Sequence, residues 1–186
     1  AASSLIIPFV IGRGMTGRAA FMIILVICPT LFSGHTGADM NWTERVSSDG
    51  LTEWVQRLLL DGTYPLMPWF SYVLLGGLLA EIGENSGVAR ASVGFGMVFT
   101  LLTVVFSWNQ SVNWALTEGV AVLTFFPAST AFLIVSMSIV ILVKILLSRV
   151  EEVLGSEASA ILSHLESAGR MSLTVYVGHF VILGLF

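Results

Sequence analysis

The chain has 186 residues, of which 55% are hydrophobic and 11% charged, with a net charge of −4 and a mean hydropathy of +0.90. A soluble domain is nearer a quarter charged, so this balance, with uncharged runs of about span length, excludes an ordinary soluble globule and places the chain in a membrane. The acidic balance offers no basic face for nucleic acid, and the single cysteine, Cys28, excludes an internal disulfide framework or thiolate metal cluster.

Residues 5–12 form an apolar run too short to cross a bilayer, since a span needs roughly 20 apolar residues. No basic segment precedes that run, so it does not resemble a signal peptide. The chain opens Ala-Ala-Ser-Ser and ends inside a second short apolar run, 172–186. It is therefore expected to be a single transmembrane domain over 1–186, incomplete at both ends and part of a larger helical bundle. Residues 19–32, with Met15 in front, are the first near-complete span, and Pro29 is expected to break it near its end. Residues 34–63 are the longest polar connection. Within it Leu51, Trp54, Val55, Leu58 and Leu59 recur at the i, i+3, i+4, i+7, i+8 positions of an amphipathic helix. Asp49 is its candidate N-cap and Gly62 its candidate stop, and the helix is expected to lie in the interface plane.

Residues 64–81, YPLMPWFSYVLLGGLLAE, are the most informative stretch. Pro65 and Pro68 suit an extended approach and the first turn of a helix, where a missing N–H costs nothing. Trp69, Phe70 and Tyr72 are side chains that collect at a membrane boundary, and Gly76-Gly77 would admit a neighbouring helix backbone. Residues 66–82 are the second span and 91–108, without a charge, the third. Residues 109–126 read as a weakly polar connection carrying interface tryptophans, Trp108 and Trp114. Pro127 opens a fourth span to about residue 143, closed by Lys144 and Arg149. A second amphipathic helix follows from Val150, and a fifth span opens at Ser172. The predicted class is all-α: a polytopic membrane protein of about five spans plus two interfacial helices.

Crossing at each span places Arg13, Arg18, Arg90, Lys144, Arg149 and Arg170 on one side, against Arg45 and Arg57 on the other. The positive-inside rule assigns the first side to the cytoplasm. Residues 34–66 and 109–127 are then external and 84–90 and 144–170 cytoplasmic, with the plasma membrane as the expected location.

Few residues carry obvious chemistry. His35 and Asp39, four apart, fit a base with an orienting carboxylate, or a solvated histidine beside an unrelated aspartate. His164 falls on a solvated face. His179 lies within the apolar YVGHFVILGLF, where an ionisable group marks either a functional site or a neutral hydrogen-bonded histidine; an axial cofactor ligand is a further reading. Arg90 and Arg170 sit at cytoplasmic span ends, suited to phosphates or simply to orientation. Asn41-Trp42-Thr43 and Asn109-Gln110-Ser111 fit the glycosylation triplet. No haem-attachment, Walker, zinc or nucleophile-elbow pattern occurs.

Three segments in order resemble one family. DGTYPLMPWFSYVLLGGLLAE resembles the PLxPWxGxxLLG span of the heparan-alpha-glucosaminide N-acetyltransferase-like proteins and their prokaryotic relatives. FFPASTAFLIVSMSIVIL resembles their YPPS…F helix start, with Ala128 in place of the second proline. AGRMSLTVYVGHFVILGLF resembles their closing GrxSLxxYxxH span. The resemblance implies the C-terminal half of a membrane enzyme that moves an acyl group from cytoplasmic acyl-CoA to an external sugar-like acceptor, with no tightly bound cofactor and no metal. Pro68, Trp69 and His179 would then line the acceptor path, and Arg90 and Arg170 would meet the CoA phosphates. His35 and Asp39 match no motif of the family, whose catalytic histidine is expected upstream of the segments seen here. The alternative is a non-enzymatic structural or transport-like subunit on the same scaffold. Partners beyond the bilayer, a second copy or a larger membrane complex, stay open.

Overall fold

The computed structural model describes residues 14–31, 41–62, 65–83 and 86–155. The chain divides into two compact units, Ala1–Val143 and Lys144–Phe186. The described elements are six α-helices, a π-turn and two short strands: α1 Met15–Leu31, α2 Trp42–Val46, α3 Leu51–Gln56, the π-turn Arg57–Asp61, α4 Leu66–Ile82, α5 Gly87–Gln110, β1 Asn113–Glu118, β2 Ala121–Phe126 and α6 Thr130–Leu154. α5 and α6 are long and apolar enough to cross a membrane; α3 with its π-turn and α4, meeting at 47°, would make a third if counted as one bent span. α1, at 17 residues, is apolar but shorter.

α1 and α4 form the first packed pair. Leu25, Phe70 and Leu74 are buried together, with Phe21, Met22, Leu66 and Met67 around them. Arg18, in the first turn of α1, is ion-paired with Glu81, in the last turn of α4, so the two helices run antiparallel. Pro29 does not end α1 as expected; the helix continues to Leu31. A proline leaves a gap in the i→i−4 ladder, and near that gap Thr130 at the start of α6 donates to the Val26 carbonyl while accepting from Thr30, both at 2.8 Å. Pro65 is extended, at φ −65° and ψ 142°, and Pro68 falls in the first turn of α4 as its chemistry requires.

The connection before α4 departs from expectation in detail. Asn41 caps α2 through a capping box, accepting from the Glu44 amide at 3.0 Å while Glu44 accepts from the Asn41 amide at 2.7 Å. The N-cap of α3 is Gly50, not Asp49; Asp49 instead gives its backbone N–H to the Glu53 carboxylate at 2.9 Å. That bond, followed by the nearby Arg57 guanidinium, holds the Glu53 carboxyl below its usual range. A carboxyl lowered in the folded state stabilises above its ordinary pKa, and the contribution fades as pH falls through the folded value. Acidifying to about pH 3 should therefore lower the protection of the Leu51–Gln56 amides, each exchange rate being referred to the intrinsic rate at the same pH; equal protection at neutral and acid pH would show that the bond contributes nothing. Gly62 does end the helix, but through the π-turn: its N–H reaches the Arg57 carbonyl at 2.9 Å. A side chain at 62 would overlap that carbonyl, so only glycine fits. The apolar face of α3 is open, with Leu51 77% and Trp54 52% exposed, in keeping with the interfacial position read from its pattern.

α5 is buried along a stripe of small and hydroxylated residues, Ala89, Val93, Gly96, Thr103 and Ser107, while Phe95, Met97, Val98, Leu101 and Leu102 face outward. A soluble helix turns its large apolar residues inward; the reverse arrangement is that of a helix solvated by lipid. α5 meets α6 at Gly96, where an added Cβ would overlap the Ser138 side chain of α6. Gly76 and Gly77, expected to admit a neighbour, are exposed and have open space around them.

The connection 109–126 is not simply a loop, which corrects the all-α expectation. β1 and β2 pair in parallel, each residue of β1 beside the one eight positions on: Asn113 with Ala121, Ala115 with Leu123, Leu116 with Thr124 and Glu118 with Phe126. Parallel neighbours ordinarily need a crossover of about a dozen residues or more. Three peptide steps from Glu118 to Ala121 reach about 11 Å, less than a straight six-residue strand, about 17 Å from end to end. The pair is therefore one curved coil, turned at Gly119 with φ +94°. Coiling lets the backbone satisfy its own polar groups next to the hydrocarbon, where water is scarce. A turn with a cis Phe126–Pro127 bond follows. Ser129 caps α6, accepting from the Phe132 amide at 3.1 Å. The helix itself does not stop at Lys144 or Arg149; α6 continues to Leu154 and stops at Gly155, φ +55°. Residues 150–154, expected to start a separate amphipathic helix, are thus the tail of α6. The fifth span from Ser172 lies outside the described residues.

Candidate functional site

The first turns of α4 and α6 and the end of β2 converge on one aromatic cluster. Trp69 stacks on Tyr72 at 5.7 Å between ring centroids. It meets the edges of Phe125 at 5.1 Å and Phe132 at 6.2 Å, and Phe125 packs against Phe132 at 5.3 Å. Offset and edge contacts of this kind each add about 0.5–1.5 kcal/mol beyond area burial. The Tyr72 hydroxyl is hydrogen-bonded to Ser136, whose own Oγ also reaches the Phe132 carbonyl. Pro68 is buried beneath this rim and Trp69 half-buried within it.

Under the rim lies a trough along α6. Its upper cavity, about 710 Å³, is bounded by α6 and the β coil and lined by Trp114, Leu116, Phe125, Phe132 and Ser136 among others. A second cavity, about 320 Å³, continues it toward Val93 and Gly96, and the two share Trp114, Val135 and Ile139. Trp114, read from the sequence as an interface anchor, lines the trough and donates its indole N–H to Thr103 at 3.1 Å. Two hydroxyls of the lower cavity are tied to helix carbonyls, Thr100 to Gly96 at 2.7 Å and Ser138 to Ile134 at 2.8 Å. Their protons are thus engaged, and no charged side chain lines either cavity.

Beside the rim is a buried ionic cluster that sequence reasoning passed over. Asp61, 3% exposed, accepts from Gln56 at 2.7 Å and lies 3.4 Å from the Arg57 guanidinium. Arg45, 4% exposed, donates to the Asp61 carbonyl at 3.3 Å. Burial lowers the Arg45 pKa; the charges of Asp61 and Glu118 oppose that shift and Arg57 adds to it. Arg57 also holds Glu53 at 2.7 Å. The cluster braces the turn that delivers the chain to α4.

Of the sequence-predicted site residues, Pro68 and Trp69 come together at the rim. Arg90 is exposed in the first turn of α5, at the end of that helix remote from the rim. His35, Asp39, Arg170 and His179 lie outside the described residues. Among the described residues no group of three or more His, Cys, Asp or Glu could hold a metal. The trough itself had a signal in the sequence: Gly96, Thr100, Thr103 and Ser107 repeat at helical spacing, which puts small and hydroxylated residues on one face. Comparison with protein-family models, curated proteins and solved structures finds no match for this chain.

Proposed function

We propose that this chain belongs to a multi-pass membrane acyltransferase of about five spans, carrying an acyl group from cytoplasmic acyl-CoA to an external sugar-like acceptor. Residues 34–66 and 109–127 face outside on this reading, and 84–90 and 144–170 face the cytoplasm. The observation that supports it most is the continuity of the Trp69 aromatic rim with a trough descending between two membrane-length helices. Aromatic faces suit the apolar side of a sugar ring, and Trp69 stands where an external acceptor would arrive. Arg90, beside the N-terminus of α5, is suited to a CoA phosphate. His35 with Asp39 would supply the base if it lies within this chain, and His179 would line the acceptor path.

The test uses purified full-length protein with labelled acetyl-CoA and a panel of amino sugars and hexoses. Transfer of label to an acceptor is the expected result; neither transfer nor acetyl-CoA hydrolysis would remove the reading. Trp69→Ala should lower kcat/KM for the acceptor about tenfold, or about 1.4 kcal/mol, with membrane insertion and acetyl-CoA affinity unchanged. Wild-type acceptor kinetics would reduce the rim to an anchor.

A second reading, a non-enzymatic subunit, is favoured by the lining of both cavities, which has neither carboxylate, histidine nor other charged side chain. Fixed stoichiometry in a larger membrane complex, without turnover, would support it.

A further inference from the structure

We propose that the trough along α6, bounded by the β coil at one cavity and by α5 at the other, is a binding site for one hydrocarbon chain of a membrane phospholipid, which enters sideways from the bilayer. The two cavities adjoin, with Trp114, Val135 and Ile139 in both linings. The larger falls within the roughly 300–1,000 Å³ typical of ligand sites. In the cavity between α5 and α6 the Thr100 and Ser138 hydroxyls donate to their own helix carbonyls, so a sugar, a peptide or water finds few hydrogen-bond partners there. An empty apolar void would forfeit dispersion contacts on every wall. A hydrocarbon chain restores those contacts and asks for no hydrogen bond.

The direction of access follows from exposure. Met97, Leu101 and Ile139 line the trough and are nevertheless 60%, 65% and 54% exposed. The trough is thus open along the outward flank of α5, beside Val98, Leu102 and Val105. In a helix whose large apolar residues face lipid, that flank meets acyl chains, not water. Trp114 stands where the two cavities meet, its indole held by Thr103, and beyond it the lipid head group would rest at β1, near the exposed Glu118. This site stands whether or not the protein transfers acyl groups.

The experiment is photolabelling of the full-length protein in phosphatidylcholine vesicles doped with a phosphatidylcholine bearing a diazirine on one acyl chain. Adducts are mapped by peptide mass spectrometry, with no acyl-CoA present. Labelling of Met97, Leu101 and Ile139 is expected to survive transfer to detergent and gel filtration, whereas labelling competence at Val105 and Phe106 is lost with the surrounding lipid. Ile139→Trp, which fills both cavities from an already exposed position, should cut the retained labelling about tenfold; Val140→Trp, on the neighbouring outward position, should not. Met97→Trp is the second filling variant should Ile139→Trp fail to insert. Equal loss of labelling at trough and outward positions in detergent, or full labelling of both filling variants, would overturn the site. Occupation of the trough by residues 172–186, shown by cross-links from Met97 or Ile139 to that segment, would overturn it equally. Because no turnover is read, failure here leaves the acetyl-CoA assay unaffected, and failure of that assay leaves the lipid site standing.

Discussion

Asp61→Ala is expected to destabilise the connection ahead of α4 by about 3–5 kcal/mol, the usual consequence of removing one partner from a buried ion pair. The carboxylate is 3% exposed in a turn that also buries Arg45 and carries Arg57, and its charge is the main one opposing the desolvation of Arg45. Its removal would leave two guanidiniums facing one another with less negative charge beside them, Glu53 still holding Arg57. Gln56 would lose its acceptor as well. The loss should appear as faster amide exchange across Leu51–Asp61 and a lower Tm for the purified protein. Asp61→Asn keeps the shape and the Gln56 bond while losing the charge, so it should fall between wild type and Asp61→Ala. An Arg45→Met background should shrink the Asp61→Ala effect, because one buried cation has gone. If exchange in the connection is unaltered in Asp61→Ala, the cluster is not what braces the turn.

Gly96→Ala should separate α5 from α6, at a cost of about 1–3 kcal/mol for overpacking a fitted contact. The new Cβ would fall on the Ser138 side chain, whose Oγ is committed to Ile134. A small residue that lets two helix backbones approach is a main source of association energy within a membrane, where apolar burial gives no drive. The same change should widen the trough and weaken the Trp114–Thr103 bond on the adjoining turns. Ser138→Gly should restore stability in the double variant, because the overlap is local to that pair. Wild-type stability of Gly96→Ala alone, read from its thermal transition in detergent, would show that the helices are not held at this point. Gly76→Ala serves as the control: it meets open space and should be silent.

Much of the helical frame was legible because hydrophobicity and punctuation are local. The span 66–82 coincides with α4, and the uncharged run 91–108 lies wholly within α5. Proline chemistry fixed where α4 begins, since a ring without an N–H fits an extended residue or a first turn and little else nearby. The end of α6 was misjudged for a related reason. Lys144 and Arg149 mark where lipid contact ends, but a helix needs no change of backbone where its surroundings turn polar, and Arg149 finds Glu152 at 2.7 Å within the same helix. The β coil escaped notice because its partners are eight residues apart with no alternating face, β1 being exposed throughout.

The opening feature of the site, the run through Pro68 and Trp69, is thus a matter of sequence: composition places it at a boundary and proline sets its start. What Trp69 faces was decided only by the tertiary structure. Phe125 and Phe132 come to it from more than fifty residues away, and the Asp61 carboxylate is buried in a turn with Arg45, from sixteen residues earlier in the chain. Local pattern determines which segments form helices and how apolar they are, because those depend on each residue and its near neighbours. Which small residue meets which helix, and where a trough is left between them, depends on contacts across the chain, and these exist only once the helices have packed.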